Sequence, residues 1–105
     1  MIRARFFYPN KPGSHFNADY YIHVHMPLAI KLLGPALKHV SAEIGISSAM
    51  PEQPPPNAAM CGFDFESVQA FTDAVMPHYQ ELQSDILNYT DIEPVVQISE
   101  IRIEQ

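Results

Sequence analysis

Six segments follow one another along this chain with alternating two-residue and 3.6-residue hydrophobic spacing. Their order is strand, helix, strand, strand, helix, strand, and no other feature constrains the fold so much. Ile2, Ala4, Phe6 and Tyr8 share one face of a first strand, which stops at the turn-forming run Pro9-Asn10-Lys11-Pro12-Gly13-Ser14. Asn17 is placed to cap a helix that carries Asp19 in its first turn and ends near Leu33, before Gly34-Pro35. Pro27 lies inside that helix and removes one backbone donor, so a kink or loosened turn is expected just before it. Leu37 to Ile46 alternates like a half-buried strand, with Val40, Ala42, Ile44 and Ile46 on one face.

Residues 47–57 hold Pro51, Pro54, Pro55 and Pro56, so they are neither helix nor central strand. A connection of that length is either a solvated tether or a segment that covers a site or a partner. Ala59, Cys61, Phe63 and Phe65 mark a third strand. Glu66 to about Leu87 is a second helix, with Val68, Phe71, Val75, Leu82 and Ile86 along one stripe and Pro77 in its middle. A last strand spans Pro94 to Ile103. The order βαββαβ implies one α+β domain over residues 1–105, a ferredoxin-like four-stranded antiparallel sheet with both helices on one face. The other face would hold Arg3, Arg5, Phe7, Glu43, Met60, Asp64, Val96, Ile98, Glu100 and Arg102. Its mixture of large apolar groups and charges of both signs predicts burial against a second copy, as a homodimer.

Charge and cysteine content narrow the function. The net charge is −6, and beyond residue 50 ten acids face Arg102 alone. Nucleic acid is excluded as a partner, because its phosphates demand clustered Lys and Arg. No run approaches the ~18 apolar residues of a membrane span, and no secretory leader is visible. Cys61 is alone, which rules out an internal disulfide and suits a reducing cytoplasm.

The chemistry gathers in Phe16-Asn17-Ala18-Asp19-Tyr20-Tyr21-Ile22-His23-Val24-His25-Met26-Pro27. A merely structural amphipathic helix has little use for so many hydrogen-bonding side chains. His25 follows Tyr21 by four residues, so the two share a helix face. An imidazole near pKa ~6.5 exchanges a proton at neutral pH, while a phenol can steady a developing oxyanion. Either residue could instead be a hydrogen-bonded part of the core. Asp19 stands four residues from both His15 and His23 and could orient either. His23 and His25 point about 200° apart on a helix and cannot share a metal ion, so no metal site is expected. No phosphate loop, dinucleotide fingerprint or nucleophile elbow occurs, and no cofactor is expected. Cys61, on an apolar stripe, reads as a buried inert thiol.

Tyr8-Pro9 with Pro12-Gly13, then Phe16-Asn17-x-Asp19-Tyr20-Tyr21, His25-Met26-Pro27 and Asp85-Ile86-x-Asn88-Tyr89-Thr90-x-x-Glu93-Pro94 together resemble the EthD family. That family is named for a protein required for ethyl tert-butyl ether degradation. Asn17 departs from the family's usual Asp, which preserves a helix cap but removes an acid. The resemblance implies a subunit that pairs sheet to sheet as a dimeric α/β barrel, with a loose link to oxidoreductase pathways. The family match falls on His25, which with Tyr21 is the candidate catalytic pair, and Tyr20, Asp19, Phe16 and Tyr89 are the candidate substrate contacts. Two functions follow. The chain is a cofactor-independent oxidoreductase, dehydratase or isomerase acting on a small apolar oxygenated molecule, or a non-catalytic hydrophobic-ligand carrier or accessory of an oxygenase system.

Overall fold

The computed structural model describes residues 1–105. Strands β1 (Ile2–Pro9), β2 (His39–Ile44), β3 (Asn57–Phe65) and β4 (Val95–Glu100) form one antiparallel sheet in the order β2-β3-β1-β4. The helical layer has α1 (Ala18–Tyr20), a π-helical turn (Tyr21–His25) and α2 (Met26–Leu33) in its first limb. Its second limb has α3 (Val68–Val75), a 3₁₀ turn (Met76–His78) and α4 (Tyr79–Ile86). This is the ferredoxin-like α+β arrangement that the order of periodicities implies. No helix is long and apolar enough to cross a membrane.

Both prolines act where expected. Asn17 caps α1 by accepting from the Tyr20 amide at 3.1 Å. Ahead of Pro27 the backbone widens into the π turn, where the Met26 amide donates to the Tyr21 carbonyl five residues back. Pro27 lacks a donor of its own, so the turn before it can expand at little cost. Pro77 likewise sits in the 3₁₀ turn that divides α3 from α4. The first limb ends at Gly34, whose φ of 69° turns the chain away in a region that side chains avoid.

Ala4, Tyr8, Ala59, Cys61, Phe63 and Phe65 point toward the helices and meet Tyr21, Met26, Ala29, Leu33, Ile86 and Tyr89 in the core. Strand β2 is shorter than its alternation suggests, because Gly45 runs directly beneath Asn57 and Pro55. A Cβ at Gly45 would collide with the Asn57 carbonyl oxygen. Beyond it, Ile46 is 92% exposed. The proline-rich connection folds back on the first turn of the chain. Asn10 donates to the carbonyls of Pro56 (2.9 Å, from its backbone) and Pro55 (3.0 Å, from its side chain).

Pairing corrects one expectation. Ala4 lies opposite Ile98 and Phe6 opposite Val96, so Val96, Ile98 and Glu100 face the helix side and not the open face. Val95, Gln97 and Ser99 replace them there, beside Arg3, Arg5 and Phe7. Periodicity shows that alternate residues share a face, but only pairing with β1 decides which face that is.

Candidate functional site

A cavity of about 300 Å³ lies between the sheet and the two helical limbs. Phe6, Tyr8, Cys61 and Phe63 form its floor, while His25, Ala29, Leu33 and Ile86 wall it from the helices. Exposed members of its lining, Thr72, Met76, Tyr79, Gln83 and Val96, mark the rim. Beta4 carries no helix above it, and Val96 there borders both cavity and solvent.

His25 reaches the cavity because the π turn directs it inward. It is 7% exposed, whereas His23, two residues before, lies at the surface with Nδ1 3.0 Å from the Asp19 carbonyl oxygen. His25 Nδ1 lies 2.8 Å from Asp85 Oδ2. The other carboxylate oxygen of Asp85 accepts from the Tyr20 hydroxyl at 2.6 Å and from Asn88 Nδ2 at 2.9 Å. Burial alone would push the Asp85 carboxyl up. The hydrogen bonds from Tyr20, Asn88 and His25 outweigh that effect and hold it below its ordinary 3.8. Asp85 is therefore an anion that only accepts, which puts the imidazole proton on Nδ1 and the lone pair on Nε2. Burial also lowers the His25 pKa below 6.5, only partly offset by Asp85. At neutral pH the ring is uncharged, with a basic nitrogen that no protein group engages.

Two clamps bring Asp85 to His25, sixty residues away. The Asn17 amide donates to the Tyr89 carbonyl at 2.8 Å, and the Thr90 hydroxyl donates to the His15 carbonyl at 2.6 Å. Phe16 bridges Thr90 as an isolated strand pair. The end of α4 and the turn after it are thereby fastened to the start of α1.

Tyr8, Phe16, Tyr21 and Tyr89 interlock as an aromatic cluster with ring centroids 5.0–5.9 Å apart. The Tyr8 and Tyr89 hydroxyl oxygens are 2.6 Å apart. Both rings are sealed from solvent, and either hydroxyl can donate in this pair. Of the two only Tyr8 borders the cavity, and with Tyr89 as donor the Tyr8 hydrogen is left unspent. Burial pushes both phenols well above their ordinary range, so they act as donors and not as anions.

The structure redistributes the residues singled out from sequence. Of the six, His25 alone lines the cavity. Tyr21 stacks on His25 with ring planes 14° apart, but its hydroxyl is sealed beside the Cys61 thiol without a hydrogen-bond partner. It does not border the cavity, whereas Tyr8 does so at the buried end and Tyr79 at the rim. Tyr20 serves Asp85, Tyr89 serves Tyr8, and Phe16 packs between them. Asp19 corrects a further expectation: it is exposed and outside the cavity lining, because the N-terminal turn of α1 faces solvent. No residue of the proline-rich segment 47–57 borders the cavity. Burial pushes the Cys61 thiol up to about 11, keeping it protonated. No three His, Cys, Asp or Glu side chains converge as a metal site. Sequence reasoning missed Asp85 and Tyr8 as site residues. Asp85, Asn88 and Tyr89 lie within one matched motif, and the three-residue spacing of Asp85 and Asn88 was the available signal.

The fold and this polar-tipped apolar cavity define a small ferredoxin-like α+β domain with an enclosed space between sheet and helices. The EthD domain model matches residues 16–93, and the chain belongs to the EthD family. An EthD-like protein of Ralstonia eutropha JMP134 is 38% identical, with a TM-score of 0.94 over 99% of this chain and 94% of that one. An ethyl tert-butyl ether degradation family protein of Bacillus halodurans C-125 shares the fold at 16% identity and a TM-score of 0.74, over 96% and 98% of the two chains. So does a putative antibiotic biosynthesis monooxygenase of Bordetella bronchiseptica, at 16% identity and a TM-score of 0.63, over 97% of each. No curated protein matches the chain.

Proposed function

We propose that this protein binds a small apolar oxygenated molecule in the cavity and transforms it by proton transfer at His25. One observation carries the reading: Asp85 holds Nδ1–H of His25, so a neutral imidazole at the cavity wall keeps the lone pair of Nε2. The arrangement suits general base catalysis in an enclosed apolar site, with Tyr8 O–H, backed by Tyr89, placed to steady negative charge on a ligand oxygen. A dehydration, an isomerisation or a cofactor-independent oxidation all begin with such a step. Family membership and fold neighbours described as monooxygenases support a place in catabolic or secondary metabolism, beside oxidoreductase chemistry. The lone buried Cys61 fits a cytoplasmic setting.

We further propose a homodimer through the open sheet face. Phe7, Met60 and Val95 lie there around charges already neutralised within the chain. Arg3 is bidentate to Asp64 at 2.6 and 2.8 Å and also meets Glu104 at 2.9 Å. Covering that face would strand no unpaired charge. Light scattering should give twice the 11.8 kDa monomer mass, and Phe7→Glu should return it to one. The test of the chemistry is His25→Gln against a panel of apolar ketones and phenols. Turnover should fall about 10²–10⁴-fold while binding, read by thermal shift, persists. Ligands that stabilise wild type without being turned over would favour the carrier reading.

A further inference from the structure

The charges that the cavity lacks say what it can hold. No Lys, Arg, Asp or Glu borders it. The nearest anion, Asp85, stands behind the imidazole, and its oxygens already accept from Tyr20, Asn88 and His25. A carboxylate entering this space would lose its hydration, find no cation and meet the field of Asp85. An ammonium group would lose as much, since the imidazole separates it from the only carboxylate. Thr72, Tyr79 and Gln83 line only the exposed rim; at the buried end the walls offer one acceptor, Nε2 of His25, and one hydroxyl donor, Tyr8 with Tyr89 donating to it. Together these match a single hydroxyl or carbonyl on an otherwise apolar body. At about 300 Å³ the space equals that of about ten water molecules in the liquid, enough for one or two fused rings.

Resting on the reading of the cavity as a ligand site, we infer that its substrate class is uncharged: a compact apolar phenol or enolisable ketone, with carboxylates and amines of the same shape rejected. Neutrality is the selection rule, and it acts on the substrate before any chemistry. In the step that follows with a ketone, the C–H bond α to the carbonyl breaks and its proton moves to Nε2. The electron pair becomes the enolate, whose oxygen accepts from Tyr8. The proton then returns to oxygen or to another carbon, so no external oxidant or reductant is consumed.

The test compares three naphthalene probes at neutral pH: 2-naphthol, 2-naphthoate and 2-naphthylmethylammonium. The chain has no Trp, so naphthalene emission is read without protein background. NMR of the His25 ring reports whether a probe occupies the cavity. The expected result is 2-naphthol binding about tenfold or more tighter than either ion, with the His25 signal displaced. Gln83→Arg, which puts a cation on the exposed rim, should then improve 2-naphthoate binding by about tenfold. Equal affinity for 2-naphthol and 2-naphthoate, with His25 displaced by both, overturns the selection rule and leaves the cavity reading standing. No binding by any probe, or binding that leaves His25 unmoved, overturns both.

Discussion

Two aspartates divide this molecule between them. Asp64, on the open face of the sheet, and Asp85, at the end of α4, are comparably buried, with side chains 7% and 12% exposed. Both are held below the ordinary 3.8. Asp64 owes this first to hydrogen bonds from Arg3, a guanidinium that never releases its proton. Asp85 owes it to a phenol, an amide and an imidazole, of which the imidazole can exchange a proton in the physiological range. The same acid at a similar depth thus makes a fixed strut in one place and orients an imidazole in the other. The partner's chemistry decides which.

The sharpest way to break this comparison is His25→Gln. If Asp85 works through the imidazole, turnover falls about 10²–10⁴-fold while the thermal midpoint barely moves. An equal change in stability and activity would make Asp85 another strut. Arg3→Met should do the reverse, costing about 2–3 kcal/mol in urea unfolding by stranding Asp64, with the cavity and its ligand affinity intact. Asp85→Asn separates the two roles by pH. Asp85 raises the His25 pKa against burial, so its loss should move the acid limb of the rate profile further below 6.5. The rate above that limb should drop about tenfold.

In wild type the same sign governs stability. Unfolded His25 takes its proton near 6.5, before the folded ring does, so stability declines as pH falls below 6.5 toward the lowered folded value. Urea titrations across that window, repeated on His25→Gln, would isolate the contribution. The smallest expected effect is Tyr21→Phe. Its hydroxyl has no partner, so removing it should leave stability unchanged or raise it by up to about 1 kcal/mol. Tyr89→Phe should lower it, because the buried Tyr8 hydroxyl then loses its hydrogen-bond partner.

Much of this architecture is legible in short stretches of chain. Asn17 and Ser67 each accept from the amide three residues on, as capping residues do. Pro27 and Pro77 disturb their helices at the turns where a missing donor predicts it. The two-residue spacing of His23 and His25 already says that one faces out if the other faces in. The face of β4 and the identity of the cavity-wall tyrosine are not legible in that way. Tyr8 reads only as a core position of β1, and nothing local shows that Tyr89 will share a hydrogen bond with it across eighty-one residues.

Sequence alone determined the order of elements, the Asn17 cap, the breaks at Pro27 and Pro77, and the histidine that merits attention. Each of those depends on backbone preferences and side-chain periodicity within one or two turns of chain. Tertiary structure decided that Asp85 orients His25, that Tyr8 and not Tyr21 lines the buried end of the cavity, and that Asp19 stays in solvent. Those outcomes depend on how the helical limbs settle on the sheet. Packing sets that arrangement through contacts sixty and eighty residues apart, which no local pattern encodes.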